Sequence, residues 1–326
     1  MRRLKSVLVM VLIITIIFNM GAVAATTIKL SHVVNEQDGF HIAALKFKEL
    51  VEERTAGELI IEIHPNAELG DERTLLEGMQ MGVIDMGVIT NGPVSNFYPE
   101  IGVFEMPFLF ANPEEAYYIL DGPIGQRVLD NLSNVGLKGL AYAERGFRNL
   151  TNSKRAVETP EDMDKLKIRV MENQVYINTF KALGANAIPM AWTEALTALQ
   201  QGTIDGQENP INVIYSFKLY ETQDYLSITR HTYAPAIFVM SQLKFDSLSR
   251  ENQQIFKEAA QEAAEYERNW NSQERDKQLA VITENGMQVS YPDLTPFQEA
   301  VESVYQDKES EFGDIIEKIR EELANK

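Results

Sequence analysis

Few side chains in this sequence have the spacing that metal binding or acid–base catalysis requires. The four histidines, His32, His41, His64 and His231, match no metal-ligand motif. There is no cysteine, which excludes disulfides, a thiol nucleophile and thiolate metal sites. The nucleophile-elbow, phosphate-loop, dinucleotide-binding and His-Glu-x-x-His motifs are absent, and no two carboxylates stand out as an acid–base pair. We therefore assign no catalytic residue, no cofactor and no metal site, and favour a binding protein. A secreted enzyme is the alternative.

The charge of the chain limits its partners. It carries 30 basic and 48 acidic side chains, a formal net charge of −18 and a pI near 4.7. A nucleic-acid surface needs a basic footprint, so we exclude a nucleic-acid partner. An anionic ligand would have to be met by a local positive site, which directs attention to individual arginines.

The first 24 residues have the parts of a secretory signal peptide. Three basic residues within the first five precede an uncharged apolar run over residues 7–18, and an Ala-x-Ala sequence ends at Ala24. The run is short for a membrane span, which needs about 20 residues. We predict cleavage after Ala24 and a freely diffusing periplasmic protein. An uncleaved membrane anchor is the alternative.

An internal repeat points to two similar halves. Residues 75–87 read LLEGMQMGVIDMG, and residues 195–207 read ALTALQQGTIDGQ. Five positions recur in register, namely Leu76, Gln80, Gly82, Ile84 and Asp85 as Leu196, Gln200, Gly202, Ile204 and Asp205. Each copy follows a short apolar run and a proline, which suggests a unit of strand, turn, helix, glycine stop and strand. Two such units predict two α/β lobes facing each other, and clefts between domains commonly bind small ligands. Chance similarity of a short motif is the alternative.

Apolar periodicity gives both halves the alternation of strands and helices that is typical of α/β proteins. Strands are predicted at 28–30, 59–63, 86–89, 137–143, 167–170, 187–189 and 234–240. Helices are predicted at 43–51, 75–79, 113–120, 123–135, 175–183, 193–201, 210–220 and 296–326. The apolar segment 103–110 is predicted to be a packed loop.

The longest predicted helix starts after Ser249. No proline or glycine occurs before Gly286, and Phe256 and Ala259 belong to one apolar stripe. At 1.5 Å per residue this helix would be roughly 55 Å long, whereas a single lobe is about 30 Å across. We therefore predict that it runs across both lobes. A break near Trp270 is the alternative.

Five segments of the sequence carry more specific information. They are HPNAELGDERTLLEGMQMGVIDMG (64–87), FYPEIGVFEMPFLF (97–110), GFRNLTNSKR (146–155), KIRV (167–170) and PMAWTEALTALQQGTIDGQENP (189–210). In this order they resemble the solute-binding proteins of TRAP transporters, the DctP family, over nearly the whole mature chain. The resemblance implies a two-lobed α/β periplasmic binding protein with crossing strands and a long helix that spans both lobes.

The resemblance also implies which residues form each lobe and which partners the protein binds. After the signal peptide, residues 1–24, lobe I is expected to comprise 25–145 plus about 233–270. Lobe II is expected to comprise 146–232 plus about 271–326. The family's proteins deliver a small organic acid to a small and a large membrane subunit. This protein would therefore dock on the membrane components without spanning the membrane itself.

Four residues of the second half match ligand-binding positions of the family. Arg169, in the KIRV strand, matches the arginine that grips the ligand carboxylate, and a guanidinium offers two parallel donors that fit a carboxylate. Arg148 matches a second arginine at the same carboxylate. Asn209 matches a ligand-contacting amide, with a helix N-cap before Pro210 as an alternative or additional role. Trp192 matches an aromatic residue that packs on the ligand, with core packing as the alternative.

The first lobe is expected to supply the rest of the ligand contacts. His32, Glu72, Thr90 and Asn91 stand where family members place ligand-facing groups. Thr90 and Pro93 replace the acidic residue and the arginine of the sialic-acid-binding members, which argues against sialic acid. Within the repeat, Asp205 is expected to hold backbone and not ligand.

The identity of the acid stays open at this stage. A C4-dicarboxylate, a sugar acid, a 2-oxo acid and an aromatic acid all need the same arginine. Met171 follows the KIRV strand where a proline is common in the family, and with Trp192 it favours some apolar surface in the site. A subunit that presents its ligand to a membrane sensor is a further alternative to transport.

Overall fold

A computed structural model describes residues 25–326, so the predicted signal peptide lies outside the described residues. Within 25–326, no helix combines the length and the apolar character that a membrane crossing needs. Nine strands of the described chain form one sheet. They are β1 Thr26–Ser31, β2 Leu59–His64, β3 Met86–Thr90, β4 Leu137–Asn152, β5 Lys167–Val170, β6 Asn186–Pro189, β7 Gly206–Asn209, β8 Tyr225–Ser241 and β9 Gln288–Ser290.

Twelve α-helices and four short 3₁₀ helices surround the sheet in the same part of the chain. The α-helices are α1 Gly39–Arg54, α2 Glu72–Gln80, α3 Asn91–Val94, α4 Pro113–Asp121, α5 Pro123–Asp130, α6 Gln174–Ala182, α7 Trp192–Gln200, α8 Ile211–Ser216, α9 Gln242–Ser247, α10 Arg250–Glu284, α11 Thr295–Ala300 and α12 Glu302–Ala324. The 3₁₀ helices are Pro99–Glu105, Asn131–Val135, Pro160–Met163 and Leu219–Glu221.

The strand order is symmetric about the middle of the sheet. It reads β2-β1-β3-β8-β4-β7-β5-β6, with β9 beside β8. The three outer strands at each end pair in parallel. The long central strands β4 and β8 are antiparallel to each other, β8 is antiparallel to β3, and β4 is antiparallel to β7, so the two strands run through both halves. The short strand β9 pairs with β8 in parallel. This confirms the predicted α/β fold of two lobes joined by crossing strands. We call the half with β1, β2 and β3 lobe I and the half with β5, β6 and β7 lobe II.

The internal repeat explains why the two ends of the sheet match. In each copy the helix stops at a glycine with positive φ, Gly82 at 72° and Gly202 at 65°, a conformation that favours glycine. The aspartate that follows then accepts a hydrogen bond from the backbone of the first strand of its own lobe. Asp85 Oδ2 accepts from Lys29 N at 2.8 Å, and Asp205 Oδ2 accepts from Lys167 N at 2.9 Å. The predicted backbone role of Asp205 is confirmed.

The long helix α10 is unbroken over 35 residues, or about 52 Å at 1.5 Å per residue. Its N-cap is Ser249, whose side chain accepts a hydrogen bond from Asn252 N. It packs on α1 in lobe I and on α8 in lobe II. The prediction that one helix spans both lobes is confirmed, and the proposed break near Trp270 is wrong.

The largest differences from the predicted boundaries are in three elements, and the segment predicted as a packed loop, 103–110, begins inside the 3₁₀ helix Pro99–Glu105. Strand β4 continues for nine residues beyond Ala143, and β8 starts nine residues before Ala234. The tail helix is two helices separated at Val301. The strand extensions were not predicted because they are rich in polar residues. These residues are buried in the sheet by ion pairs and hydrogen bonds, which a search for apolar periodicity does not detect.

Candidate ligand-binding cleft

A cavity lies between the two lobes at the carboxyl ends of the outer parallel strands, where α/β proteins usually bind ligands. Lobe I lines it with the residues after β1, the start of α2 and the segment after α3. Lobe II lines it with the end of β5 and the start of α7. The lining consists of Val33, Asp71, Glu72, Arg73, Pro93, Asn96, Arg169, Met171, Glu172, Met190, Ala191, Trp192 and Thr193.

Strand β5 delivers Arg169 to the lobe II wall of this cavity. The side chain is only 3% exposed. Its Nε and Nη2 atoms both donate to the carbonyl oxygen of Met190, at 2.9 and 2.7 Å, which fixes the plane of the guanidinium. The guanidinium carbon lies 5.5 Å from the ring centre of Trp192. Arg169 is therefore held rigidly by backbone and by an aromatic face.

Arg169 differs from the other three buried arginines of the described chain in having no acidic partner. Arg145 pairs with Asp38 at 2.7 Å, and Arg148 and Arg268 each pair with a carboxylate in the same way. Among residues 25–326, no carboxylate lies within ion-pair distance of Arg169. A buried charge is normally paired, because isolated burial costs several kcal/mol. An unpaired one beside a cavity has the properties of a receptor for a ligand anion.

The electrostatic setting supports the same reading. The pKa of Arg169 is lowered to about 10: burial is the largest cause and the positive charge of Arg148 acts in the same direction, while Glu208 and Glu72 oppose the shift. The guanidinium is still charged at neutral pH. A ligand carboxylate would restore the solvation that burial removed and would be bound by a charge-assisted hydrogen bond.

Trp192, the first residue of α7, forms the second part of the lobe II wall. It is 8% exposed, and its ring packs edge-on against Phe217 with the centroids 5.1 Å apart. Within the described chain, its indole Nε1 is buried without a hydrogen-bond partner. Trp192 therefore takes part in core packing and also presents an apolar face to the cavity.

Glu72 is the lobe I counterpart of Trp192, because it precedes Trp192 by 120 residues, the offset of the repeat, and both residues line the cavity. It is the first residue of α2, and its Oε1 accepts a hydrogen bond from Thr90 N at 2.7 Å. Burial raises the pKa of this carboxyl, although the hydrogen bonds from Thr90 and the charges of Arg145 and Arg169 oppose the shift. The cavity thus has a cationic wall on one side and a hydrogen-bond acceptor on the other.

Arg148 lies outside the cavity lining. It is fully buried and pairs with Glu208 through Nε and Nη2, and Nη2 also donates to the Glu208 carbonyl oxygen at 2.6 Å. Only Nη1 has no hydrogen-bond partner in the described chain. His231 completes the cluster by approaching Glu208 Oε2 with Nε2 at 3.2 Å. This arrangement saturates most of Arg148 with protein partners and leaves Arg169 as the uncompensated charge.

Asn209 also lies outside the lining. It is the last residue of β7, and its Nδ2 donates to Gln207 Oε1. The N-cap residue of α8 is Pro210, so the expectation that Asn209 caps this helix is wrong. The extended backbone continues from β7 through Pro210, which is one residue further than the Asn-Pro sequence suggested.

Of the four predicted lobe I residues, only Glu72 lines the cavity. His32 is fully buried and its Nε2 lies 3.1 Å from His41 Nδ1. The pKa of His32 is lowered to about 3, mainly by burial and in smaller part by the charges of His41 and Arg145. The amide of Thr90 donates to Glu72, and Asn91 donates to the Ile101 carbonyl and to Glu105. These three residues support the wall from behind.

The sequence analysis did not single out the lining residues Asp71, Arg73 and Glu172, and it missed two further features of the site. One is the Met190 carbonyl, which no side-chain motif can reveal because it is a backbone group. The other is Glu208, the counter-ion of Arg148. Its position within the Gln-Glu-Asn-Pro segment was a usable signal, because a buried strand seldom carries an unpaired carboxylate.

Comparison with known proteins agrees with this geometry. Residues 30–311 match the family model described as bacterial extracellular solute-binding protein, family 7, or DctP. The chain belongs to this family. The match covers most of the described residues, including both lobes and the cavity between them.

Individual relatives of this family 7 protein are close in sequence and in fold. The 2,3-diketo-L-gulonate-binding periplasmic protein YiaO of Escherichia coli is 39% identical over 272 residues, or 83% of each chain. A TRAP periplasmic solute-binding protein from Polaromonas sp. JS666, bound to D-erythronate, has a TM-score of 0.89 and 38% identity, covering 90% of this chain and 98% of the other. The sugar acid binding protein DctPAm from Advenella mimigardefordensis, in complex with galactonate, has a TM-score of 0.88 and 34% identity, covering 90% and 96%.

These findings establish the general class of activity. The protein is a TRAP-family solute-binding protein and not an enzyme, as the sequence predicted. Members of the family bind small organic acids and work with TRAP membrane subunits. A C4-dicarboxylate ligand is not confirmed, because these relatives carry names of sugar acids and related compounds.

Proposed function

We propose that this protein is the periplasmic solute-binding subunit of a TRAP transporter for a hydroxylated monocarboxylate of the sugar-acid class. It would deliver the acid to the small and large membrane subunits. The observation that carries the proposal is the buried guanidinium of Arg169, which lines the cleft without an acidic partner.

The remainder of the lining favours hydroxyl groups over a second carboxylate. Besides Arg169, the cavity has one arginine, Arg73, and this side chain pairs with Glu77 at 3.1 Å. Three carboxylates line the same cavity, namely Asp71, Glu72 and Glu172. A dicarboxylate would place its second negative charge among them, and like charges repel. A hydroxyl group can instead donate to a carboxylate oxygen.

The relatives support the same class. D-Erythronate and galactonate, the ligands named for the two structures, are hydroxylated monocarboxylates. The diketogulonate of the E. coli relative also combines one carboxylate with several hydroxyl groups.

Calorimetric titration of the mature protein with D-erythronate, galactonate, glucuronate and succinate tests this proposal. We expect saturable 1:1 binding of at least one hydroxylated monocarboxylate, with much weaker binding of succinate. The bound acid should be recovered chemically unchanged. Tight binding of succinate with no binding of any hydroxy acid would refute the proposed class.

Glu72 is expected to set the preference between these acids. A hydrogen bond to a charged acceptor is stronger than one to a neutral acceptor by about 1 kcal/mol, so Glu72→Gln should weaken hydroxy-acid binding about five- to tenfold. The same change removes one negative charge, so succinate binding should improve. Titration of both ligands against wild type measures this shift.

The matched control is Glu53→Gln, at an exposed position of α1, which should change neither affinity. An equal loss of affinity for succinate and for the hydroxy acid in Glu72→Gln would contradict the assigned role of Glu72.

A further inference from the structure

Two buried side chains of lobe II reach into lobe I beside the ligand cavity. They are Asn173 and Tyr176, at the N-cap and in the first turn of α6. Their partners lie on α3 and on the 3₁₀ helix Pro99–Glu105. These segments directly adjoin the cavity, because Pro93 and Met171 belong to its lining. The contacts therefore join the lobes at the edge of the cleft.

Asn173 uses the two ends of its amide for different purposes. Its Oδ1 accepts hydrogen bonds from Val175 N at 2.7 Å and from Tyr176 N, which caps helix α6 within lobe II. Its Nδ2 donates to Gly92 O at 3.0 Å and to Ser95 Oγ at 2.8 Å in lobe I. The side chain is only 1% exposed, so water does not compete for these bonds.

Tyr176 makes the second of these two side-chain contacts between the lobes. Its hydroxyl group donates to the carboxylate of Glu105, which is buried in lobe I. Asn91 Nδ2 donates to the other oxygen of Glu105 at 3.0 Å and fixes that carboxylate in place. The predicted ligand residue Asn91 thus serves the contact between the lobes.

The absence of a side chain at Gly92 lets the lobes approach this closely. A Cβ atom built on Gly92 would lie 2.8 Å from Met171 Cε, which is closer than van der Waals contact. Met171 therefore packs directly on the backbone whose carbonyl group accepts from Asn173. The three contacts form one continuous patch.

We propose that Asn173 and Tyr176 form a latch that holds the cleft closed and sets ligand affinity without touching the ligand. This inference rests on the proposed function only for the choice of ligand. Opening the cleft separates the two lobes at this edge and leaves the Asn173 amide and the Tyr176 hydroxyl without their partners. Each hydrogen bond lost in this way disfavours the open form.

The variant Asn173→Asp removes the latch hydrogen bonds of residue 173 but keeps its role as the cap of helix α6. Aspartate caps a helix as well as asparagine does, but its carboxylate cannot donate to Gly92 O and faces it with a negative charge. We expect hydroxy-acid affinity to fall about tenfold or more, mainly through faster dissociation, with the melting temperature of the unliganded protein little changed. Calorimetry and stopped-flow displacement measure the two quantities.

Asn112→Asp is the matched control. Asn112 caps α4 through Oδ1 and its Nδ2 donates to Glu115, both within lobe I. The same chemical change there should leave ligand affinity within about twofold of wild type, a difference below a typical hydrogen-bond contribution.

The closed fraction can be measured directly, with or without ligand. The chain has no cysteine, so Glu53→Cys and Lys181→Cys place one spin label on an exposed site of each lobe. Distance distributions by pulsed electron resonance should show a larger open fraction in Asn173→Asp than in wild type. We expect this difference in the unliganded protein as well, so the measurement does not depend on the choice of ligand. If wild type binds no hydroxy acid, the proposed function is refuted, and the latch is still tested by these distances.

Unchanged affinity and unchanged distance distributions in Asn173→Asp would overturn the latch. If that variant fails to fold, Ser95→Ala, which removes one acceptor of the latch, should weaken binding and increase the open fraction to a smaller degree. Wild-type behaviour of Ser95→Ala in both measurements would then overturn the proposal.

Discussion

Replacing Arg169 with alanine is expected to weaken hydroxy-acid binding by about 100-fold or more. The guanidinium is the unpaired buried charge of the cleft, and losing a charged hydrogen-bond partner of a bound carboxylate costs about 3 kcal/mol. Arg169→Lys should recover part of the loss, since lysine keeps the charge but not the paired donors. Isothermal titration of the three proteins with the same acid measures the effect.

The thermal stability of the unliganded Arg169→Ala protein should not fall with its ligand affinity. Removing a buried charge that has no acidic partner relieves desolvation, and this gain should equal or exceed the loss of the hydrogen bonds to the Met190 carbonyl, so the melting temperature should be equal to or above that of wild type. Arg73→Ala is the control, since Arg73 lines the same cavity but is exposed and paired with Glu77. It should bind within a few-fold of wild type. Affinity near the wild-type value in Arg169→Ala would exclude Arg169 as the anchor.

Glu208→Ala should produce the largest loss of stability, about 3–5 kcal/mol in the free energy of unfolding. Glu208 and Arg148 are both fully buried, and removing one member of a buried ion pair leaves the other without compensation. His231 also loses its partner. Urea unfolding at neutral pH measures the difference. Glu161→Gln, at an exposed position, is the control and should change stability by less than about 0.5 kcal/mol.

The contribution of Glu208 should also depend on pH with a defined sign. Burial alone would raise the pKa of Glu208, but Arg148 and His231 outweigh burial and hold it below the usual value of 4.5. The stabilisation is therefore complete above pH 4.5 and is lost as the pH falls through the lower folded-state pKa. The difference in the free energy of unfolding between wild type and Glu208→Gln should therefore become smaller as the pH is lowered. A difference that does not change with pH would mean that the charge of Glu208 does not stabilise the fold.

The sequence was sufficient for the outline of the fold, because the repeat is local. The glycine stop and the following aspartate act within a few residues of their own helix, and so Gly82 and Gly202 predicted matching units. The long helix was equally readable, since neither proline nor glycine interrupts it. The central strands were predicted too short because Arg148 in β4 owes its burial to Glu208, 60 residues further along the chain.

The site was harder to predict for the same reason. Arg148 and Arg169 both lie in strands, and nothing near either residue in the sequence tells which one has an internal partner. The structure separates them, because Glu208 faces Arg148 while a carbonyl group faces Arg169. In lobe I, Glu72 and Asn91 matched the family equally well, yet only the first reaches the cavity. Which way a side chain faces depends on tertiary packing.

The shared strands β4 and β8 make the two lobes parts of one folding unit. Each lobe draws edge strands from its own segment of the chain, but the middle of the sheet belongs to both. Neither half could be cut out with an intact hydrogen-bonded sheet edge, and heat should melt the molecule in a single cooperative step. The two lobes that we propose to open and close around the ligand are therefore expected to unfold as one thermodynamic unit.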